Sequence, residues 1–410
     1  MAFRKKDKYS YYSGYQSYRK KSSKKLIITI IIIFTLLAGI VFLNRNRITL
    51  MIKGYSWSQT SEILELSKKD VNQVKEYEYL EHLVEFKEIS QNVKYYEYYN
   101  SYKKSHSKVE NQEIVELIDY AMNEQLADLK KLDYSQDDIW EILQNASNDD
   151  LQYIIDQKYD QKTTAPYLKF EQAILTNMGA YIESYQQTND YEYSINIVNY
   201  PFILSTNQVE TQYTLADPDD ITNLIKPGFN FPSDYEPSDL VVPNIPNAPD
   251  NKDNLLRKEA AKALEEMTAA AKKDNMHLVL NSAYRSFQEQ TNVYNEYEEK
   301  YGGLYASQYV AKPGTSEHQS GLGADLTSQS VLDGERLVFG DTVEYDWVLE
   351  NAHKYGFVVR FLDETAHITG IAHEPWHIRY LGDLATDVYE SGYTYEEYCL
   401  YHSLLPKVNK

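Results

Sequence analysis

The sequence predicts an α+β domain, a small antiparallel sheet with flanking helices, at the C-terminal end of a chain that begins with one transmembrane helix and an all-α repeat region. Three observations lead there. Beyond residue 250, amphipathic helical stretches alternate with short apolar runs of strand length. Residues 26–43 (LIITIIIIFTLLAGIVFL) are 18 positions without a charge. Residues 54–212 are rich in Tyr, Asp, Glu, Asn and Lys, with regularly spaced Leu and Ile, the pattern of short surface-covered helices.

As a helix, the uncharged run is about 27 Å long, just enough to cross the hydrocarbon layer. Nine of the 41 Lys and Arg lie in residues 1–25 against Asp7 alone, leaving 32 basic and 60 acidic side chains in the remainder. Such a basic tail cannot bury a core and is expected to be disordered and cytoplasmic. The apolar run is longer than a cleaved leader needs, and no small-x-small site follows Leu43. Ile40 rather than cysteine follows Leu37-Ala38-Gly39, which excludes lipoprotein processing. The expectation is a single-pass signal anchor over residues 26–43, with residues 44–410 extracellular.

The formal charge of −20 argues against nucleic-acid binding, because most of the surface would repel a polyanion. Cys399 is the one cysteine, so neither an intrachain disulfide nor a two-cysteine metal site can form.

An internal repeat is visible in the polar region. Gly54-Tyr55-Ser56 with Glu62-Ile63-Leu64 matches Asp133-Tyr134-Ser135 with Glu141-Ile142-Leu143 at an offset of 79, and Leu117-Ile118-Asp119-Tyr120 matches Ile197-Val198-Asn199-Tyr200 at 80. Two helical copies, 54–132 and 133–212, follow, with Ser147 as a helix cap in the second. They hold no catalytic constellation and are read as spacers or as a surface docking a protein or glycan partner. Tyr95-Tyr96-Glu97-Tyr98-Tyr99 is the run that would stack on sugars.

Seven of the twelve prolines lie between Pro218 and Pro249, which marks residues 213–249 as a linker or extended lead-in arm. The last domain, 231–410, is expected to contain a helix over 254–273, a buried strand at 278–280, a helix from Ser286 with a Ser286/Glu289 capping box, a strand at 323–327, a helix over 346–355, a strand at 356–361 and a final helix with a Thr394/Glu397 box.

Within it, Ser316-Glu317-His318-Gln319-Ser320-Gly321-Leu322-Gly323-Ala324-Asp325 offers an imidazole and a carboxylate seven positions apart. The two glycines let the chain turn and bring Asp325 back beside His318. Some fifty residues on, His373-Glu374-Pro375-Trp376-His377 adds a second imidazole three positions after a carboxylate. Two histidines and an aspartate suit zinc, and a further carboxylate suits a general base: His318, Asp325 and His377 as ligands, Glu374 as the group that takes the proton of a water. His373 is read as a neighbour, because Pro375 breaks the strand alternation that would pair it with His377.

These segments, together with Ser282-Ala283-Tyr284-Arg285-Ser286, stand in the order found in zinc D,D-carboxypeptidases of the VanY type, which the chain closely resembles over residues 234–400. The resemblance implies hydrolysis of the terminal D-alanine of peptidoglycan stem peptides outside the membrane. It places Arg285 in the site, against the developing oxyanion or the substrate carboxylate, and Ser316 and Gln290 in contact with substrate. An L,D-carboxypeptidase acting on tetrapeptide stems and a non-catalytic wall-binding scaffold are the alternative readings.

Overall fold

The structure, a computed structural model, describes residues 20–205, 209–249 and 251–409; residues 1–19 of the expected basic tail lie outside the described residues. The chain divides into two compact units, Met1–Thr163 and Thr164–Lys410, a boundary that falls inside the expected second repeat.

In the first unit an apolar helix covers Lys20–Leu43, and its stretch Lys24–Leu43 has a mean hydropathy of 3.1 with none of its surface buried by protein. The backbone is already helical at Lys20, inside the expected disordered tail, because lysine is a good helix former and no breaker separates it from the apolar run. Short helices follow, and polar caps set their starts. Ser56 closes a capping box on Trp57–Ile63 and Ser135 closes one on Gln136–Leu143; Ser67 caps Lys68–Glu76 and Ser147 caps Asn148–Gln157.

The aromatic run that a glycan-docking reading of the repeats would use lies in the interior: Tyr95, Tyr96 and Tyr99 are buried. Helical spacing explains it, since residues 95 or 96 and 99 share a face and that face carries the core contacts with Phe86. Each phenol has an acceptor. Tyr99 donates to Asp119, Tyr96 to the Ser90 carbonyl at 2.7 Å and Tyr95 to the Met122 carbonyl at 3.3 Å.

The second unit is built on a four-stranded antiparallel sheet, β1 (Leu278–Ser282), β2 (Gly323–Ser328), β3 (Phe357–Phe361) and β4 (Glu374–Tyr380), in spatial order β1-β2-β4-β3. Alternation along each strand sends neighbouring side chains to opposite faces. Ala324, Leu326, Phe357 and Ile378 meet Leu264, Met267 and Ala271 of the helix Lys258–Lys273. That helix begins four residues later than expected, because Leu256–Arg257 pairs with Leu240–Val241 as a short strand. Asp325, His377, Arg379 and Arg360 occupy positions of the other face, beside a second core of Leu224, Phe229, Val358, Leu381, Ala385 and Cys399.

The described part of the Pro-rich arm is fastened to this unit. Tyr213–Thr214 pairs with Phe229–Asn230, Arg379 Nη2 donates to the carbonyls of Ile221 (3.0 Å) and Asn223 (3.3 Å), and Arg257 Nη1 donates to Asp219 O at 2.7 Å. Apolar residues between the prolines supply the reason: Leu215, Leu224, Ile225 and Phe229 are buried.

A buried ionic chain ties the sheet to its surroundings. Arg360 Nε donates to Glu317 Oε1 at 2.9 Å, and its two terminal nitrogens grip Glu396 at 3.2 and 3.0 Å. Lys226, also buried, donates from Nζ to Ile203 O at 2.6 Å and to Ile368 O at 3.0 Å. Removing the central arginine strips Glu396 of its hydrogen-bonded cation and leaves Glu317 with His377 and Arg379 alone, so Arg360→Ala is expected to lose about 3–5 kcal/mol of stability, read from the denaturant midpoint.

Burial depresses the Lys226 ammonium from 10.5 to about 8, against the pull of Glu396. Between those values the unfolded chain keeps a proton that the folded chain has released, so stability rises with pH across that window. Thermal midpoints between pH 8 and about 9, before most tyrosines ionise, should climb more steeply for the native protein than for Lys226→Met.

Candidate active site

A turn and two strand positions gather the motif residues. His318 sits in the short 3-10 turn Glu317–Ser320, which ends at Gly321 in the left-handed region (φ +66°), where a Cβ would come within 2.8 Å of Leu240. At Gly323 a Cβ would lie 3.0 Å from the Glu317 carbonyl carbon, so the two arms of the turn touch only because no side chain intervenes. Asp325 then falls on β2 directly opposite His377 on β4.

Glu374 and His377 are three apart, a spacing that would send them to opposite faces of a regular strand. The pairing of β3 with β4 shifts between Val359 and Phe361, so that two steps on β3 match four on β4 from Ile378 to Glu374. This bulge, which contains Pro375, turns both side chains into one cleft. His373, just before the bulge, is exposed and stands apart from the three-residue cluster.

One nitrogen or oxygen from each of His318, Asp325 and His377 lies within 4.8 Å of the others. His318 Nε2 is 3.4 Å from Asp325 Oδ2, and His377 Nδ1 is 2.9 Å from Asp325 Oδ1. The remaining ring nitrogens are held from behind. His318 Nδ1 donates to Ala283 O at 2.6 Å, and His377 Nε2 donates to Glu317 Oε2 at 3.0 Å, both partners being able only to accept. In the neutral ring forms that bind a metal, this arrangement turns one lone pair of each imidazole toward Asp325, and the two-nitrogen, one-oxygen donor set fits zinc.

The electrostatics follow from burial and proximity. Burial alone would raise Asp325 and Glu317; His318 and His377 hold Asp325 well below the usual carboxylate range, and Arg360, His377 and Arg379 do the same for Glu317. For His377 burial disfavours the charged ring, yet the hydrogen bonds to Asp325 and Glu317 win and push it up to about 9. Burial lowers His318. Among the described residues no cation is bound directly to Glu374, and burial pushes its carboxyl up to about 8. It is thus the most basic carboxylate of the cleft, suited to accepting a proton.

Arg285 enters the same cleft of about 210 Å³ with its fork oriented by three partners: Asp253 (Nε, 3.3 Å), Gln290 (Nη1, 2.9 Å) and Ser282 (Nη2, 2.9 Å). Gln290 lines the cleft and is buried, and its Nε2 donates to Ala311 O at 2.7 Å while its Oε1 accepts from Arg285, so both ends of its amide are engaged. Ser316 is buried at the cleft wall beside His318. Sequence reasoning assigned no role to Glu317, Arg360, Glu396, Asp253 or Lys226. One sign was readable: Arg360 is a lone charge in the apolar strand run Gly356-Phe357-Val358-Val359-Arg360-Phe361, and a charge there needs a buried partner.

A family profile described as VanY: D-alanyl-D-alanine carboxypeptidase matches residues 253–383. The chain is 36% identical over 246 residues to the putative carboxypeptidase YodJ of Bacillus subtilis (strain 168), covering 59% of this chain and 87% of that protein. It is 35% identical over 164 residues to the bifunctional D-Ala-D-Ala dipeptidase and D-Ala-D-Ala carboxypeptidase VanXYC of Enterococcus gallinarum, covering 39% and 82% respectively. Among solved structures, the LdcB LD-carboxypeptidase is 37% identical and matches with a TM-score of 0.44 over 49% of this chain and 94% of its own. The chain is a metallo-type peptidase and belongs to the VanY family of D-alanyl-D-alanine carboxypeptidases.

Proposed function

We propose that the protein is a membrane-anchored zinc D,D-carboxypeptidase that removes the terminal D-alanine from peptidoglycan stem peptides. The observation that carries this reading is the convergence of His318, Asp325, His377, Glu374 and Arg285 on one cleft. His318, Asp325 and His377 would hold zinc, which when bound lowers the pKa of water and polarises the scissile carbonyl. Glu374 takes the proton from the attacking water as its oxygen bonds to the carbonyl carbon. The same carboxyl then gives that proton to the nitrogen as the C–N bond breaks, releasing free D-alanine and a shortened peptide.

Arg285 remains charged throughout and has N–H groups beyond those its three protein partners use, so it meets either the developing oxyanion or the substrate's terminal carboxylate. A cleft this small and cationic at one wall favours the end of a peptide over its middle. The apolar helix Lys24–Leu43 serves as the anchor, with its basic flank inside and the catalytic unit outside. Helix caps that recur 79 and 80 residues apart support two copies of one helical unit, acting as a spacer or docking surface.

Incubating the full-length protein in detergent with pentapeptide stems should release one D-alanine per stem, seen by product mass. Trimming of tetrapeptide stems instead would assign L,D specificity, and wall binding without any product would leave the scaffold reading. Chelation should abolish turnover and added zinc restore it. Glu374→Gln should lower kcat by about 10²–10⁴-fold while zinc content stays at the native level. Arg285→Lys keeps the charge but loses the fork, and kcat/KM should fall by about 10- to 100-fold.

A further inference from the structure

One wall of the cleft carries a surface for which hydrolysis itself has no need. Tyr297, Tyr301, Tyr305 and Tyr309 recur at intervals of four along the helix Phe287–Tyr301, across Gly302, and along the helix Gly303–Tyr309. Successive rings are 5.6, 4.9 and 4.4 Å apart between centres. The four remain 37–49% exposed, and Leu304 beside them is 86% exposed. Tyr95, Tyr96 and Tyr99, by contrast, are packed inward.

Tyr297 and Tyr309 line the catalytic cleft, while Tyr301 and Tyr305 continue the row beyond it. The row is fixed to the catalytic residues at its base. Ala311 O accepts from Gln290, which holds Arg285, and Gln308 O accepts from Ala372 N at 3.1 Å, two positions before Glu374.

We propose that this tyrosine row binds the glycan strand that bears the stem peptide, an inference that rests on the stem-peptide reading above. A stem peptide whose free end lies in the cleft is bonded at its other end to an N-acetylated sugar, so sugar must lie within a few residues' reach of the reacting bond. Phenol rings offer a rigid apolar face or edge to pyranose C–H groups and a hydroxyl to sugar oxygens, at little cost in conformational entropy. Charge argues against a polyanion: Glu296, Glu298 and Glu299 are exposed beside the row against Lys300, whose ammonium is 4.9 Å from the Tyr301 ring centre, and the chain's net charge is −20. Ring packing at i,i+4 would steady the helices by itself, but it gives no reason for so much apolar surface to open at the mouth of the cleft.

The test uses the full-length protein in detergent, with two readouts. In the first, peptide-free glycan strands, with the carboxyl groups freed by peptide removal capped as amides to keep them neutral, are titrated calorimetrically. The native protein should bind them, and Tyr301→Ser/Tyr305→Ser should bind about tenfold more weakly, with Tyr301→Phe/Tyr305→Phe recovering most of the loss. In the second, kcat/KM is compared for a disaccharide-linked pentapeptide and the free pentapeptide. The native protein should prefer the linked substrate about tenfold, and the serine variant should lose that preference while turning over the free peptide at the native rate. Absence of strand binding by the native protein overturns the proposal, as does an undiminished preference in the serine variant. Light scattering that shows a native dimer dissolved by the serine substitutions would assign the row to self-association and overturn it as well. If the double variant does not fold, Tyr305→Ser alone carries the same comparison. Strand binding without turnover of any stem peptide would refute the catalytic reading and leave the glycan site standing.

Discussion

The interaction on which the rest depends is the sharing of one buried carboxylate, Glu317, between the His377 imidazole and the Arg360 guanidinium. Two-sided pairing is what allows a charged group to remain in the interior at all. It also selects the tautomer of the neutral His377 ring, and so the nitrogen whose lone pair is turned toward Asp325 when the ring gives up its second proton. Because Glu317 directly precedes His318, the same turn that presents one imidazole orients the other. Arg360 extends the chain of contacts to Glu396, linking the placement of the two clustered imidazoles to the packing of the C-terminal helix Tyr395–Tyr401.

The fold of the catalytic unit was largely legible in the sequence, because its strands are short apolar runs and its helices carry their own start signals. The Ser286/Glu289 and Thr394/Glu397 capping boxes are present, and the strands at residues 278, 323 and 356 begin within one position of expectation. The helix expected over 346–355 runs instead over Val343–Asn351 and finishes as a 3-10 turn, because Thr342 caps it early and the approach to Gly356 tightens the last turn. The Pro-rich arm was harder to read. Proline density speaks about backbone conformation, whereas docking depends on the few apolar residues between the prolines.

The candidate site shows the same division. Residue types that chemistry demands, the histidines and carboxylates of two motifs, announce themselves through spacing. Groups that act by holding other groups do not, since Glu317, Arg360 and Glu396 are far apart in the chain and each is ordinary by itself. The tyrosines make the point from the other side. The run of residues 95–99 is the denser one and the candidate for sugar stacking if the repeats dock a glycan, yet helical geometry turns it inward, while the more widely spaced row from Tyr297 to Tyr309 stays outside. Composition identified the chemistry, and periodicity decided where it faces.

The aromatic interior of the first unit has a consequence for how that unit can be observed. Rings locked in chiral contact, among them Tyr95, Tyr96 and Tyr99 with Phe86, give optical activity in the near ultraviolet that vanishes when side-chain packing loosens. Their phenol groups, bonded to Asp119 and to backbone carbonyls, also make the packing directional, so a sliding or molten arrangement would strand polar oxygens in an apolar interior. The N-terminal unit of the chain therefore carries a spectroscopic signature native to its core and independent of any ion held elsewhere.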